Sequence, residues 1–204
     1  MTLLELHPFE MPQPHRFTRE EYYRLNDLGF FEGRRVELIE GEIVEMAPQK
    51  EPHVLGVSLT CRALEKAFGE HFWVRCQAPL SLGQISDPEP DLAVVPGQPR
   101  DYAGKGHPST ALLVVEVADA TLRYDRTLKA ALYARAGVQD YWIVNVVDNV
   151  VEVHREPIQE GIAAGVEGKE LRWRYRAVSS VRPPAMISPL ALPGKPMDVA
   201  TMLP

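Results

Sequence analysis

The stretch Ala111-Leu112-Leu113-Val114-Val115-Glu116-Val117 is apolar at every position but one. A short apolar run without polar alternation reads as a strand buried on both faces, in the middle of a sheet. The exception, Glu116, lies near the end of that strand. A carboxylate taken out of water there costs several kcal/mol unless something compensates it. A divalent cation is one solution, and an Arg or Lys partner is another.

The neighbouring segments supply both strands and cover. Thr18-Arg19-Glu20-Glu21 has the spacing of a capping box, which predicts a short helix over Arg19–Asp27 that Gly29 stops. Two short strands should flank the Gly41 turn within residues 36–46, with Pro48 and Pro52 closing that unit. Val54, Val57, Cys61, Leu64 and Phe68 recur at spacings of three and four, so a helix is expected over residues 53–68, ended by Gly69. Strands are expected over Phe72–Cys76, residues 80–82 and residues 91–95. An exposed loop, rich in Pro and Gly, should follow over residues 97–109.

A second helix is expected over residues 125–136, with Leu128, Ala131, Leu132 and Ala134 on its apolar face and Gly137 ending it. Residues 141–146 and 150–154 read as a hairpin about Asp148-Asn149. Residues 171–177 read as one more strand. The order of elements implies a mixed α/β sheet covered by helices, neither an all-β barrel nor a helical bundle. The division expected is an irregular arm over residues 1–17, one domain over 18–180, and a proline-rich tail over 181–204 that packs as a loop or frays.

Several function classes are excluded or disfavoured. With 204 residues the chain can bury a sizeable core without disulfides. A net charge of −6 argues against nonspecific coating of nucleic acid, an affinity that Lys and Arg supply by displacing counterions. Cys61 and Cys76 are too far apart for a metal or redox CxxC motif and read as two buried thiols. No apolar run approaches the roughly 20 residues of a membrane span, and no signal peptide is evident, so a cytoplasmic location is the default. Phosphate-loop, dinucleotide and nucleophile-elbow motifs are missing, and the six histidines show no zinc-finger spacing.

The acids carry the chemistry. Asp91 follows Pro90 and opens a strand. If that strand pairs with the one bearing Glu116, the two carboxylates meet at one edge of the sheet. With a backbone oxygen they form a hard-cation site suited to Mg²⁺ or Mn²⁺. Arg123, Asp125, Arg126 and Lys129 follow Glu116 closely. Lys129 is four residues past Asp125, on the same helix face. That spacing fits an ordinary surface ion pair. It also fits a lysine turned back over the sheet end toward Glu116.

With those residues in view, the sequence resembles the Uma-type restriction endonuclease family of the PD-(D/E)XK nuclease superfamily. The resemblance rests on Val36-Glu37-Leu38-Ile39-Glu40-Gly41-Glu42, Pro90-Asp91-Leu92-Ala93-Val94-Val95, Val114-Val115-Glu116-Val117, and Arg123-Tyr124-Asp125 with Lys129. It extends to Leu132-Tyr133-Ala134-Arg135-Ala136-Gly137-Val138 running into Tyr141-Trp142-Ile143-Val144. It implies a restriction-endonuclease-like PD-(D/E)XK core, a mixed central β-sheet flanked by helices. It implies catalytic roles for Glu37, Asp91, Glu116 and Lys129, with Asp91, Glu116 and the Val117 carbonyl as metal ligands. Ala118 stands where the superfamily pattern has its lysine, and Lys129 matches the position to which this family has moved it. His53 matches a histidine at the start of the covering helix, and it is expected to contact either substrate or a helix end.

The reaction implied is metal-assisted hydrolysis of DNA, with Arg123 and Arg126 on flanking phosphates. The alternative is a nuclease fold without turnover, kept as a nucleic-acid-binding or assembly module. A duplex-cutting enzyme of this kind is expected to be a homodimer, and the hairpin over residues 141–154 and the C-terminal segment are candidate interfaces.

Overall fold

In the computed structural model, residues 13–161 and 172–204 are described. The apolar run becomes β5 (Leu113–Ala118), buried at every position. It lies inside a six-stranded sheet of order β3-β4-β5-β6-β7-β8, with β3 at Phe72–Cys76, β4 at Leu92–Pro96, β6 at Asp140–Asn145, β7 at Val150–Glu160 and β8 at Arg172–Val181. All neighbours pair antiparallel except β5 and β6. A parallel pair needs a long crossover. Here the helical segment after β5 provides it and lies across one face of the sheet.

One face of β5 carries Leu113, Val115 and Val117, packed with Val57, Leu64 and Phe68 of α2 (Glu51–Phe68). The other carries Val114 and Ala118, packed with Leu132, Tyr133 and Ala134 of α4 (Ala130–Arg135). Glu116 belongs to this second face. In the register Leu92 pairs with Val115. Asp91, one residue before Leu92, therefore falls beside Glu116, one residue after Val115. The turn of α2 at Gly56 lies so close to the sheet that a Cβ there would stand 2.8 Å from Val117 Cγ1 and 3.1 Å from Val146 Cγ1. Only a glycine lets the helix seat at this distance.

Before the sheet, α1 (Arg19–Asp27) begins on the expected capping box, with Glu21 N donating to Thr18 Oγ1 and Thr18 N to Glu21 Oε2. The hairpin β1 (Val36–Ile39) and β2 (Glu42–Glu45) turns at Glu40-Gly41, both at positive φ, as a tight two-residue hairpin turn requires. It is tied to the rest by the bridge of Leu38 with Asp87.

The structure corrects several expectations. Pro52 does not close the preceding unit; it lies in the first turn of α2, where its missing N–H leaves no helical bond unmade. Residues 80–82 are buried but form no strand. Leu80 N donates to Pro88 O, Leu82 N to Ser86 O and Ser81 N to Pro108 O, so these groups are satisfied by two loops rather than by a ladder. Loop 97–109 contains a 3₁₀ turn, Pro99–Tyr102. The helix after β5 starts earlier than expected, as α3 (Leu122–Tyr124), and passes through a π-helical segment, Asp125–Lys129, before α4. Leu128 is 39% exposed and is not on the apolar face.

The hairpin of β6 and β7 is as expected, but it is not a docking surface. Tyr141, Trp142, Ile143 and Val144 are fully buried within this chain. Residues 1–12 of the expected arm, and Leu171, lie outside the described residues; the strand expected over residues 171–177 is β8, which runs on to Val181. The segment after Val181 packs rather than fraying. β9 (Met186–Ile187) pairs with β10 (Met197–Asp198), and Ile187, Met197, Val199, Met202 and Leu203 enter the core beneath α2. Among the described residues no helix is long and apolar enough to cross a membrane.

Candidate active site

Glu37, Asp91, Glu116 and Lys129 meet at one end of the sheet, beneath the π-helical segment. Asp91 and Glu116 are locked together across β4 and β5. Asp91 N donates to Glu116 Oε2 at 3.2 Å, and Val117 N donates to Asp91 Oδ2 at 2.8 Å. Each acid is thus oriented by the backbone of the other strand. Glu37 arrives from β1 and accepts from Glu89 N at 3.0 Å.

Lys129 is the cation that these acids hold. Its Nζ lies 2.7 Å from Glu37 Oε2 and 3.3 Å from Glu116 Oε1, and the side chain is almost wholly buried. Burial on its own drives an ammonium's pKa down, but Glu116 and Glu37 outweigh that, and Lys129 is held above the ordinary lysine value. The π-helical segment turns Lys129 and Asp125 inward together, both about 4% exposed. Such segments are uncommon and gather at functional sites.

Burial pushes the Glu116 carboxyl up to about 8, with Asp91 and Asp125 adding to the rise against the pull of Lys129. Burial likewise pushes Asp125 up to about 6, although its hydrogen bond from Thr121 Oγ1 at 2.6 Å opposes the change. Tyr133 donates to Glu116 Oε1 at 2.6 Å, and Tyr141 to Asp125 O at 3.1 Å. His53 contacts Val117 O through Nδ1 at 2.8 Å and Asp91 Oδ1 through Nε2 at 3.1 Å. Since both partners accept, the protonated ring suits the site, and the bond to Asp91 raises its pKa. Gln77 Nε2 also donates to Asp91 Oδ1, at 3.2 Å.

A stability effect follows. An acid whose folded pKa is raised favours the protonated native state. Between the unfolded carboxyl values near 4 and the folded values of about 6 and about 8, the native chain retains protons that the unfolded chain has lost. Stability therefore falls as pH rises through this window. His53, also raised, contributes in the same direction above the ordinary histidine value. Thermal melts in EDTA should show a lower midpoint at pH 8 than at pH 5; a midpoint that rises across the window would mean that these carboxyls are not desolvated as described.

Carboxyls outnumber cationic groups here. Glu37, Asp91, Glu116 and Asp125 are all buried, and Lys129 is the buried ammonium that faces them, with His53 alongside. The Asp91 and Glu116 carboxylates and the Val117 carbonyl are hard oxygen donors of the kind Mg²⁺ and Mn²⁺ take. Their oxygens are the ones that Lys129 and His53 already face, so they stand where a cation is wanted. Among the described residues no three Asp, Glu, His or Cys side chains converge as a ready-made ligand set. The set here instead needs the Val117 carbonyl as its third member.

Two expected contacts are not brought to the site. Arg126 turns to Glu152, which accepts from its Nε at 2.9 Å and its Nη2 at 2.6 Å, so its guanidinium is engaged in a bidentate pair. Arg123 lies exposed on the helix surface. Sequence reasoning missed Asp125, Tyr133 and Gln77. Asp125 was read only as a partner for Lys129, but the four-residue spacing carries both inward. Tyr133, four residues past Lys129, lies one turn further along the same face.

Comparison with known proteins places this geometry in a family. Residues 19–193 match the family model Uma2, described as "Putative restriction endonuclease". A crystal structure of "a putative nuclease belonging to DUF820" from Anabaena variabilis superposes with a TM-score of 0.66 at 12% identity, covering 91% of this chain and 97% of that one. At that identity the likeness bears on the fold, a restriction-endonuclease-like α/β architecture. No curated protein matches the chain.

Proposed function

As this chain belongs to the Uma2 family of putative restriction endonucleases, we propose that it is a divalent-metal-dependent endonuclease that hydrolyses phosphodiester bonds in DNA. The observation that carries this reading is the interlocked pair of buried carboxyls Asp91 and Glu116, set beside Glu37 and the buried ammonium of Lys129. Asp91, Glu116 and the Val117 carbonyl would hold Mg²⁺ or Mn²⁺. When bound, such an ion lowers the pKa of a coordinated water and offsets charge on the phosphate.

The chain's own groups divide the remaining work. Lys129 keeps its proton, so it serves as a fixed positive donor toward the attacking water or the phosphate rather than as a base. Glu37 aims that ammonium through their 2.7 Å contact. His53 and Gln77 hold Asp91 in place from the α2 and β3 sides. Arg123 is exposed at the surface, where it would meet a flanking phosphate, and Arg126 would reach one only by leaving Glu152. Cutting both strands of a duplex calls for two such sites. A homodimer therefore goes with this proposal, with an interface other than the buried β6–β7 hairpin.

Incubating the chain with supercoiled plasmid and with a single-stranded RNA tests the proposal. Nicking of the plasmid in Mg²⁺ or Mn²⁺, stopped by EDTA, is the expected result. Cleavage of RNA alone would move the substrate class. Tight DNA binding without cleavage in either metal would favour the inactive binding module.

A further inference from the structure

The chain has seven tyrosines, and six of their hydroxyls have an acceptor. Tyr22 donates to Val36 O, Tyr23 to Asp87, Tyr102 to Pro96 O, Tyr133 to Glu116, Tyr141 to Asp125 O and Tyr175 to Val138 O. Tyr124 is the exception. Its hydroxyl oxygen is buried and has no hydrogen-bond partner among the described residues. A buried polar group left unmade is costly, so an orphan of this kind points to a partner that the described residues do not supply.

Its position narrows what that partner is. Tyr124 is the last residue of α3, directly before the π-helical segment that turns Asp125 and Lys129 inward. Its ring lies 6.0 Å from Lys129 Nζ, and Glu37, Lys129, Glu116 and Asp125 all act on it electrostatically. Several of the acceptor oxygens around it are already engaged. Glu37 Oε2 takes Lys129 and Glu89 N, Glu116 takes Tyr133 and Asp91 N, and Asp125 Oδ2 takes Thr121. The phenol is a neutral donor beside an ammonium. A group that accepts from both at once is an anionic oxygen.

We propose that the Tyr124 hydroxyl donates a hydrogen bond to a non-bridging oxygen of the scissile phosphodiester, next to the contact made by Lys129. This rests on the nuclease reading above and adds to it a catalytic residue, one that touches the reacting phosphate. A donor aimed at charge that grows in the transition state assists turnover more than ground-state binding.

Tyr124→Phe removes only the hydroxyl, which separates the catalytic role from a structural one. The test uses the full chain and reads three quantities on the same samples: the thermal midpoint, the affinity for a short duplex in Ca²⁺, and the single-turnover nicking rate in Mg²⁺. Nicking should fall by roughly 100- to 1,000-fold, the scale of losing one transition-state donor. Duplex affinity should change by no more than a few-fold, and the melt should be unchanged or raised, because the hydroxyl makes no bond within the described residues. Nicking at the wild-type rate would overturn the proposal and leave the nuclease reading intact. A rate loss with a matching fall in thermal midpoint would also overturn it, by making the hydroxyl structural. A wild-type chain that nicks nothing in any metal would overturn the nuclease reading itself, and this assignment with it.

Discussion

Lys129→Met is expected to destabilise the chain by about 3–5 kcal/mol at neutral pH, the cost of breaking a buried charge pair from one side. Methionine fills nearly the same volume, so the loss is electrostatic rather than a cavity. Without the ammonium, Glu37 is left buried with only the Glu89 N–H, and Glu116 keeps only Tyr133 and Asp91 N. Both acids would then favour protonation in the native state. The loss should therefore be greatest at pH 8 and smallest near pH 5. Urea unfolding at the two pH values checks this. A variant within about 0.5 kcal/mol of wild type at pH 8, the range of an ordinary surface substitution, would mean that Lys129 does not hold these acids together.

Glu116→Gln has the second large effect, on chemistry. The amide keeps the shape of the side chain and an oxygen for Asp91 N or for Tyr133, but it removes the charge that would bind the metal. Plasmid nicking should fall by at least about 10³-fold, or roughly 4 kcal/mol of transition-state stabilisation, while the chain still folds. The same variant removes the carboxyl whose pKa reaches about 8. Its stability should consequently depend less on pH between 5 and 8 than that of wild type. Loss of nicking with an unaltered pH profile would separate the metal role of Glu116 from the desolvation argued for it. Retained nicking would remove Glu116 from the metal site.

Much of the framework was legible from local chemistry. The capping box at Thr18 and Glu21, the Gly41 turn and the apolar run of β5 each contain their own physical instruction, and each element formed where that instruction lies. The meeting of Asp91 with Glu116 could be anticipated from two strands that need only pair. The π-helical segment could not, since one widened turn changes no residue type and leaves the apolar spacing nearly intact. It is nonetheless what buries Asp125 beside Lys129 and leaves Leu128 exposed.

Arg126 was misread for a related reason. Arg126 and Lys129 look alike on a helix, and whether each meets Glu152 or Glu37 depends on strands far away in sequence. The C-terminal segment was hidden by its prolines, which suggest looseness but here shape a covered path. Val199, Met202 and Leu203 complete the core face under α2.

The central claim is that Asp91, Glu116 and the Val117 carbonyl bind a divalent ion. Titrating Mn²⁺ into the wild-type chain and into Asp91→Ala by calorimetry, near pH 8 and again near pH 6, tests it most directly. Saturable binding to wild type that is tighter at pH 8, because Glu116 must lose its proton first, and that disappears in Asp91→Ala, is the result expected. No binding to wild type, or equal binding to both chains, would contradict the account and leave Asp91 and Glu116 as structural charges around Lys129.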